Sequence, residues 1–401
     1  MHDMDALTLR GIYVDAIVRC APAPLVELHA RSGSFSWILA FGKCAIEMAR
    51  GAAAAGVPAR GIVVAPEGYG DARTLPEGIR VLRGSHPDVT SASVAAASEV
   101  LAMAAAMKGP CLVLASGGGS ACLEAPLGPH FDLPLVSAIN RALVRGGLDI
   151  VAINTVRRHL SAIKGGRLGA LLDPASRTLV YSDVPRGRGS LVGSGPTLAD
   201  ESTNLDAATI LEALGTEEAA VASRLLRSGS VPDTPKELGI AFEVIADNAT
   251  LVAAAARAAE ERGLRATIVA DEIDGDVGQA ARALARDAAT LAPGEILIAG
   301  GEPTVRVTGD GRGGRCSELA ARFAIEDRGR HPALFGSSDG VDGSSPAAAV
   351  VVYREMRLPP GEIEEALVRS DSAALIGALG EAIIMEPTGN NLRDLYLVAA
   401  R

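Results

Sequence analysis

The chain is predicted to fold as α/β, in two α/β domains with the N-terminal one Rossmann-like. Three observations predict this. Short apolar runs alternate with alanine-rich helical stretches along almost the whole length. Several of these runs end abruptly in glycine, and Gly/Asp-rich turns mark the strand ends in both halves. A Ser/Gly/Pro-containing break around Ser228–Pro235 separates the two series, which gives domains at 1–235 and 236–401.

Taken in order, residues 3–30 read as helical, with Leu7, Ile12, Ala16 and Ile17 as a rough apolar stripe. Trp37–Phe41 is a strand, Gly42-Lys43 its turn, and a small-residue helix follows from Cys44. Gly61–Pro66 and Ile79–Arg83 are further strands, Ser91–Lys108 an alanine-rich helix, and Cys111–Ala115 a fully apolar strand. Helices are expected over Val136–Gly147 and most of Asp149–Leu172, then a strand at Thr178–Tyr181. In the second half, strands are expected at Ile240–Ala246, Arg265–Val269, from Ile296, at Ala333–Gly336 and at Leu392–Ala399. Helices are expected at Ala249–Gly263, at Gly278–Leu291, and from Asp371 to before Met385.

Composition narrows the function. Net charge is −10, from 38 basic and 48 acidic residues, and no stretch is dense in Lys or Arg. Neither nucleic acid nor an anionic membrane is therefore an expected partner. Only 3% of residues are aromatic against 48% hydrophobic, so the core must be built mainly from Ala, Leu, Val and Ile. The five cysteines are scattered with no CxxC, as reduced thiols are, rather than as a disulfide or zinc framework. The first twenty residues lack the apolar core of a signal peptide, and no apolar run reaches the roughly 18 residues of a spanning helix. A soluble, cytoplasmic protein is expected.

Candidate chemistry sits at the strand ends. Lys43 follows the first strand and precedes a helix, a place where the helix dipole favours anions, so its own helix does not explain it. Only four lysines occur, and Lys164 is another. After the strand at 111–115 comes Ser116-Gly117-Gly118-Gly119-Ser120-Ala121, whose backbone N–H groups can cradle phosphate or carboxylate. Its spacing is neither GxGxxG nor a Walker A loop. Arg157, Ser161 and Lys164 recur at helical spacing, either to neutralise phosphates or as a solvated face. His86 is a base or a loop polar group, and Asp183 a divalent-metal ligand or general base. Residues 296–318 read ILIAGGEPTVRVTGDGRGGRCSE. Glu302 follows two glycines, Val305 and Val307 alternate as in a strand, and the Gly311–Gly314 turn leads to Arg315, suited to a planar anion. Asp339 and Asp342 lie in a glycine-rich turn suited to Mg²⁺-linked phosphate chemistry. Zinc spacing and a G-x-S-x-G elbow are both missing. Cationic groups, anion nests and acidic metal ligands are the parts of phosphoryl transfer, which favours a small-molecule kinase over an oxidoreductase. The strand ends are expected to converge on an interdomain active-site cleft.

The pieces FGKCAIEMA (41–49), SGGGSA (116–121), NTVRRHLSAIKGGRL (154–168), SDVP (182–185) and GSGPT (193–197) are followed by GGEPTV (300–305), GRGGR (311–315), SDGVDG (338–343) and EPTGNNLRDL (386–395). In this order they resemble the glycerate 2-kinase family, the type with a C-terminal MOFRL domain. The resemblance implies ATP-dependent, Mg²⁺-assisted phosphorylation of the 2-hydroxyl of D-glycerate, giving 2-phospho-D-glycerate and ADP. It implies Lys43 and Arg315 at the substrate carboxylate or transferring phosphoryl group, and Asp183 or Asp339 as base or metal ligand. Asn391 and Arg188 are candidates for substrate contact. Gly117, Gly118, Gly119, Ser120, Lys164, Glu302 and Gly313 are candidates for nucleotide contact, with Glu302 orienting a basic group or a ribose. A small acid and a nucleotide are the expected partners, and homodimerisation stays open. Other readings are a kinase for a four-carbon sugar acid, or an NAD(P)H-dependent hydroxypyruvate reductase, a label some family members carry.

The chain also departs from the family pattern. Arg186-Gly187-Arg188-Gly189 replaces Gly-Asp after SDVP, Cys316-Ser317 replaces two amides beside Arg315, and Gly389–Asp394 reads GNNLRD where GTNVND is usual. The extra arginines fit a larger or more anionic acid, and Cys316-Ser317 is where a changed substrate is expected to be written.

Overall fold

The structure, a computed structural model, describes residues 2–353 and 358–400. Its contacts divide the chain into two units: residues 22–184 with 188–245, and the opening residues through 21 with 185–187 and 246–401.

The first unit is built on a sheet of six strands, β1 (Trp37–Phe41), β2 (Gly61–Pro66), β3 (Ile79–Gly84), β4 (Cys111–Ser116), β5 (Arg177–Tyr181) and β6 (Ala241–Ala246), in the order β3-β2-β1-β4-β5-β6. This is the Rossmann-type order, and β1 through β5 pair in parallel. β2 and β4 are buried along their whole length, which is why WILAF, GIVVAP and CLVLAS carry no polar alternation. The helices Ala45–Ala54 and Ser91–Ala106 follow β1 and β3, and Ala96, Ala97, Val100 and Ala104 pack on β1, β2 and β4. A separate helical layer, Leu133–Arg145, Ile150–Leu160, Asn204–Leu214 and Glu217–Arg227, has its own core around Ile139, Leu143, Val156 and Leu211.

The second unit has a mixed sheet of β7 (Arg265–Ile268), β8 (Glu295–Gly301), β9 (Ala333–Ser337), β10 (Ala349–Val352), β11 (Gly380–Ile383) and β12 (Asp394–Ala399), ordered β11-β10-β9-β12-β8-β7. Only β7 and β8 are parallel; the other pairs run antiparallel. The helix Arg315–Asp327 lays Leu319, Phe323 and Ala324 against this sheet, where Phe335 and Tyr396 complete the aromatic centre. The opening helix His2–Arg19 packs on Asn248–Glu260, and the Tyr13 hydroxyl donates to the Ser337 carbonyl at 2.6 Å.

Several expectations need correction. The helix expected over 3–30 is two, His2–Arg19 and Pro22–Ala30, because Pro22 lacks the N–H needed to continue the first and starts the second. Leu7 is exposed; Leu9, Ile12, Tyr13 and Ala16 form the buried face. The helix expected over 149–172 ends at Leu160, and Gly165 and Gly166 then turn in the left-handed region. Val305 and Val307 form no strand, and Val307 is largely exposed. The helix expected from Asp371 to before Met385 is a short turn of helix ending at Leu379, followed by β11. β10 and the helices Arg315–Asp327 and Pro360–Val368 were not anticipated.

Candidate active site

The order of the first sheet reverses between β1 and β4, and the loops leaving those two strands are tied together. Lys43 N–H donates to the Gly117 carbonyl at 2.8 Å. Cys44 N–H donates to Ser116 Oγ at 3.0 Å, and that hydroxyl donates to the Phe41 carbonyl at 3.2 Å. In open α/β sheets, ligands bind in the crevice at such a reversal. Gly118 has φ +78°, and a Cβ there would lie 3.0 Å from His86 Cδ2 and 3.2 Å from Lys43 Cγ. Only glycine lets the loop pass between the imidazole and the lysine stem. Lys43 Nζ lies 5.7 Å from the centroid of the Tyr69 ring, within cation–π range. Burial, helped by the Lys43 charge and opposed by Asp88, pushes His86 down to about 4, so the imidazole is neutral at pH 7.

Beside these loops is a cavity of about 500 Å³, wholly within the first unit. Gly117, Gly118, Ser120, His86 and Asp183 line it, together with Asn140, Arg141, Asn154 and Arg157 from the helical layer. Ser194 Oγ donates to Asn154 Oδ1 at 2.5 Å and is 2.8 Å from Ser120 Oγ. Asn154, Asn140 and Arg141 were missed in the sequence. Asn154 stands four residues after Ile150 and three before Arg157, the one periodic signal that could have found it.

Lys164 is not on the cavity wall. It is buried, paired with the equally buried Glu124 carboxylate, and burial lowers its pKa. Arg157 is half-buried, its Nε donating to Asn140 Oδ1 at 2.8 Å, and it feels the same Glu124. Gly119 packs against Phe41. Arg188 is exposed.

In the second unit, Arg315 opens its helix and is held by two carboxylates. Its Nη1 is 2.6 Å from Glu302 and its Nε 3.2 Å from Asp394. Burial raises Asp394 to about 6 against the opposing pull of Arg315, and Tyr396 OH donates to it at 3.2 Å. Glu302 also reaches Arg393 at 3.3 Å, and Arg393 in turn meets Glu272 at 2.7 Å and Asp274. Asp394, an isolated carboxylate at the head of an apolar strand, is a partner that sequence reasoning did not single out. Asp339 accepts from Ser337 Oγ (2.7 Å) and Val341 N–H (2.9 Å). Asn391 is buried. Gly313 packs so closely that a Cβ would lie 2.1 Å from Ser372 Oγ. Gly311 N–H donates to the Arg369 carbonyl (3.0 Å), so this loop is fastened rather than open. Among the described residues, no group of three or more His, Cys, Asp or Glu side chains is placed to hold a metal ion, and no helix is long and apolar enough to cross a membrane.

Residues 9–226 match a domain of unknown function, DUF4147, and residues 295–394 match the MOFRL family. D-glycerate 2-kinase of Thermotoga maritima is 32% identical over 90% of this chain and 89% of its own. The chain belongs to the MOFRL-type glycerate kinase family. A crystal structure of glycerate kinase from Thermotoga maritima covers all of both chains, with TM-score 0.91 and 29% identity. A family relative from Agrobacterium vitis, provisionally named a hydroxypyruvate reductase, is 34% identical over 97% of this chain and 93% of its own.

Proposed function

We propose that this family member is a kinase that transfers the γ-phosphoryl group of ATP to the 2-hydroxyl of D-glycerate. The coarser reading, a kinase for a small polyhydroxy acid, follows from its kinship with named glycerate kinases. One observation carries the finer reading. Lys43, neutral His86 and the Gly117–Gly118 loop meet at the sheet reversal beside a cavity that also holds Arg157 and Asp183. A cation, backbone donors and a carboxylate at one ligand crevice are what phosphoryl transfer requires.

In this reading Lys43 neutralises charge that grows on the transferring group, and its worth lies in the transition state. Asp183 accepts the proton of the attacking hydroxyl. Arg315, held rigid by Asp394, offers its outer face to a carboxylate or phosphate. Mg²⁺ of the kind that arrives with a nucleotide takes one or two carboxylates plus phosphate oxygens, and Asp183, on the cavity of the first unit, is the carboxylate that would hold it. When bound, Mg²⁺ supplies charge neutralisation on the phosphate oxygens.

Purified protein with ATP, Mg²⁺ and D-glycerate is expected to release ADP and to form 2-phosphoglycerate, identified by phosphorus NMR. Activity on erythronate or threonate but not glycerate would move the substrate to four carbons. A reductase reading draws on the Rossmann-type strand order and on the Agrobacterium relative's name. Against it, the first βα turn carries Gly42-Lys43-Cys44 in place of a dinucleotide fingerprint. Oxidation of NADH by hydroxypyruvate without ADP release from ATP would reverse the conclusion.

A further inference from the structure

The helices Leu133–Arg145 and Ile150–Leu160 run out and back around a four-residue turn, and each presents a graded stripe to the cavity. On the second, Ile150, Asn154 and Arg157 are spaced i, i+4, i+7, one face of a helix. The stripe passes from apolar through amide to cation over about 10 Å, at 1.5 Å per residue. On the first, Val144 stands near the turn, with Arg141 and Asn140 one helical turn back. Asn140 accepts from Arg157 Nε, which fixes the amide and cationic ends of the two stripes together and leaves Val144 and Ile150 at the other end, where Arg145 also lines the cavity. Val144 is 62% exposed, a large apolar side chain turned to solvent on the wall of a cavity. The volume, about 500 Å³, is in the range of sites that enclose drug-sized ligands and far exceeds the needs of a three-carbon acid.

An elongated ligand with a flat apolar head and an anionic tail matches this gradient. We propose that the cavity takes the nucleoside triphosphate, its base against Val144 and Ile150 and its phosphates towards Arg157 and Arg141. This rests on the kinase reading and adds to it which residues choose the nucleotide. The Arg157 guanidinium is preset for the role. Its Nε is committed to Asn140, and Glu124 lies close enough to balance its charge from the protein side. The remaining N–H groups are left to a ligand.

The test separates binding from turnover. A fluorescent ATP analogue is titrated into the full chain without acid substrate, then displaced with ATP, AMP or adenosine. Arg157→Ala is expected to weaken ATP at least tenfold and adenosine little. Val144→Asp, at an exposed position that leaves folding intact, is expected to weaken ATP and adenosine alike. KM for ATP should rise in both variants while KM for the acid stays near its original value. If both variants bind ATP as the parent does and turnover persists, the nucleotide lies elsewhere, and the proposal fails while the kinase survives. If the parent binds no nucleotide at all, both fail.

Discussion

Replacing Lys164 with methionine tests whether that lysine holds the fold or the nucleotide. Lys164 and Glu124 are each 1% exposed, and Glu124 Oε1 already has no hydrogen-bond partner. Lys164→Met keeps the side-chain volume but leaves a buried carboxylate without its direct counter-charge, a loss of about 3–5 kcal/mol. Arg157 feels the same carboxylate and will offset part of that, which places the expected loss towards ~3 kcal/mol. For a unit of 150–250 residues, each kcal/mol shifts Tm by roughly 2–4 °C, so a fall of about 6–12 °C is expected. Calorimetry on the parent, Lys164→Met, Glu124→Leu and the double variant closes the cycle. The double variant should recover most of the loss, because an apolar pair can replace a buried ion pair at little cost. A Tm unchanged in Lys164→Met together with a large rise in KM for ATP would refute the structural role and return Lys164 to the nucleotide.

Lys43→Ala should lower kcat by roughly 10²-fold or more with Tm unchanged, and Lys43→Arg should not restore it, because a planar fork does not replace a compact ammonium; a stopped assay for ADP decides. Gly314→Ala would put a Cβ 2.1 Å from Asp342 Oδ1, forcing that carboxylate off the Cys316 and Ser317 N–H groups it accepts from at 2.9 Å. Loss of the cap alone is worth about 1–2 kcal/mol, so the urea midpoint should fall, and an unchanged midpoint would deny Asp342 its capping role. Asp394, raised by burial to about 6 from an ordinary value near 4, binds its proton more tightly folded than unfolded. Its contribution is therefore complete below about pH 4 and is lost as pH rises through 6. Asp394→Asn should flatten unfolding free energy over that interval, and a slope identical to the parent's would exclude Asp394 as its source. Arg188→Ala should change relative kcat/KM across sugar acids while leaving ATP affinity alone; equal kinetics on every acid would make Arg188 a solvated loop residue.

What was legible in the sequence followed the physics of each segment. The buried parallel strands announce themselves because they need apolar residues on both faces, and Trp37–Phe41 and Gly61–Pro66 were read to the residue. The second sheet was less legible. Its antiparallel strands β10 and β11 are four residues long, and Ala349–Val352 looks the same whether it will be strand or buried helix. The helix Arg315–Asp327 carries a helical apolar spacing in Leu319 and Phe323, but its N-cap is Gly314, which offers no side-chain start signal. Those glycines show what a motif leaves out. Gly311, Gly313 and Gly314 look like a ligand cradle, yet their missing side chains make room for Asp371, Ser372 and Asp342 of the same chain. Lys164 illustrates the same limit. Helical spacing from Arg157 suggested a shared face, but the helix stops at Leu160, and nothing local announces a buried glutamate forty residues earlier.

The family departures now weigh differently against one another. Cys316 and Ser317 were expected to carry a changed substrate preference, but both are buried, and Ser317 Oγ is 3.0 Å from Ser372 Oγ in the packing behind the helix. Arg393 holds a left-handed φ of 67° and is surrounded by Glu272, Asp274 and Glu302, so its charge is spent within the protein. Arg186 spends its backbone N–H on Glu272 at 3.0 Å and its guanidinium on the Ala270 carbonyl at 3.2 Å. Three of the departures thus substitute one internal arrangement for another. Arg188 differs: it is exposed, on the segment that follows Asp183. If an altered acid is recognised through these departures, Arg188 is the residue placed to do it, since among the described residues no carboxylate is paired with its charge.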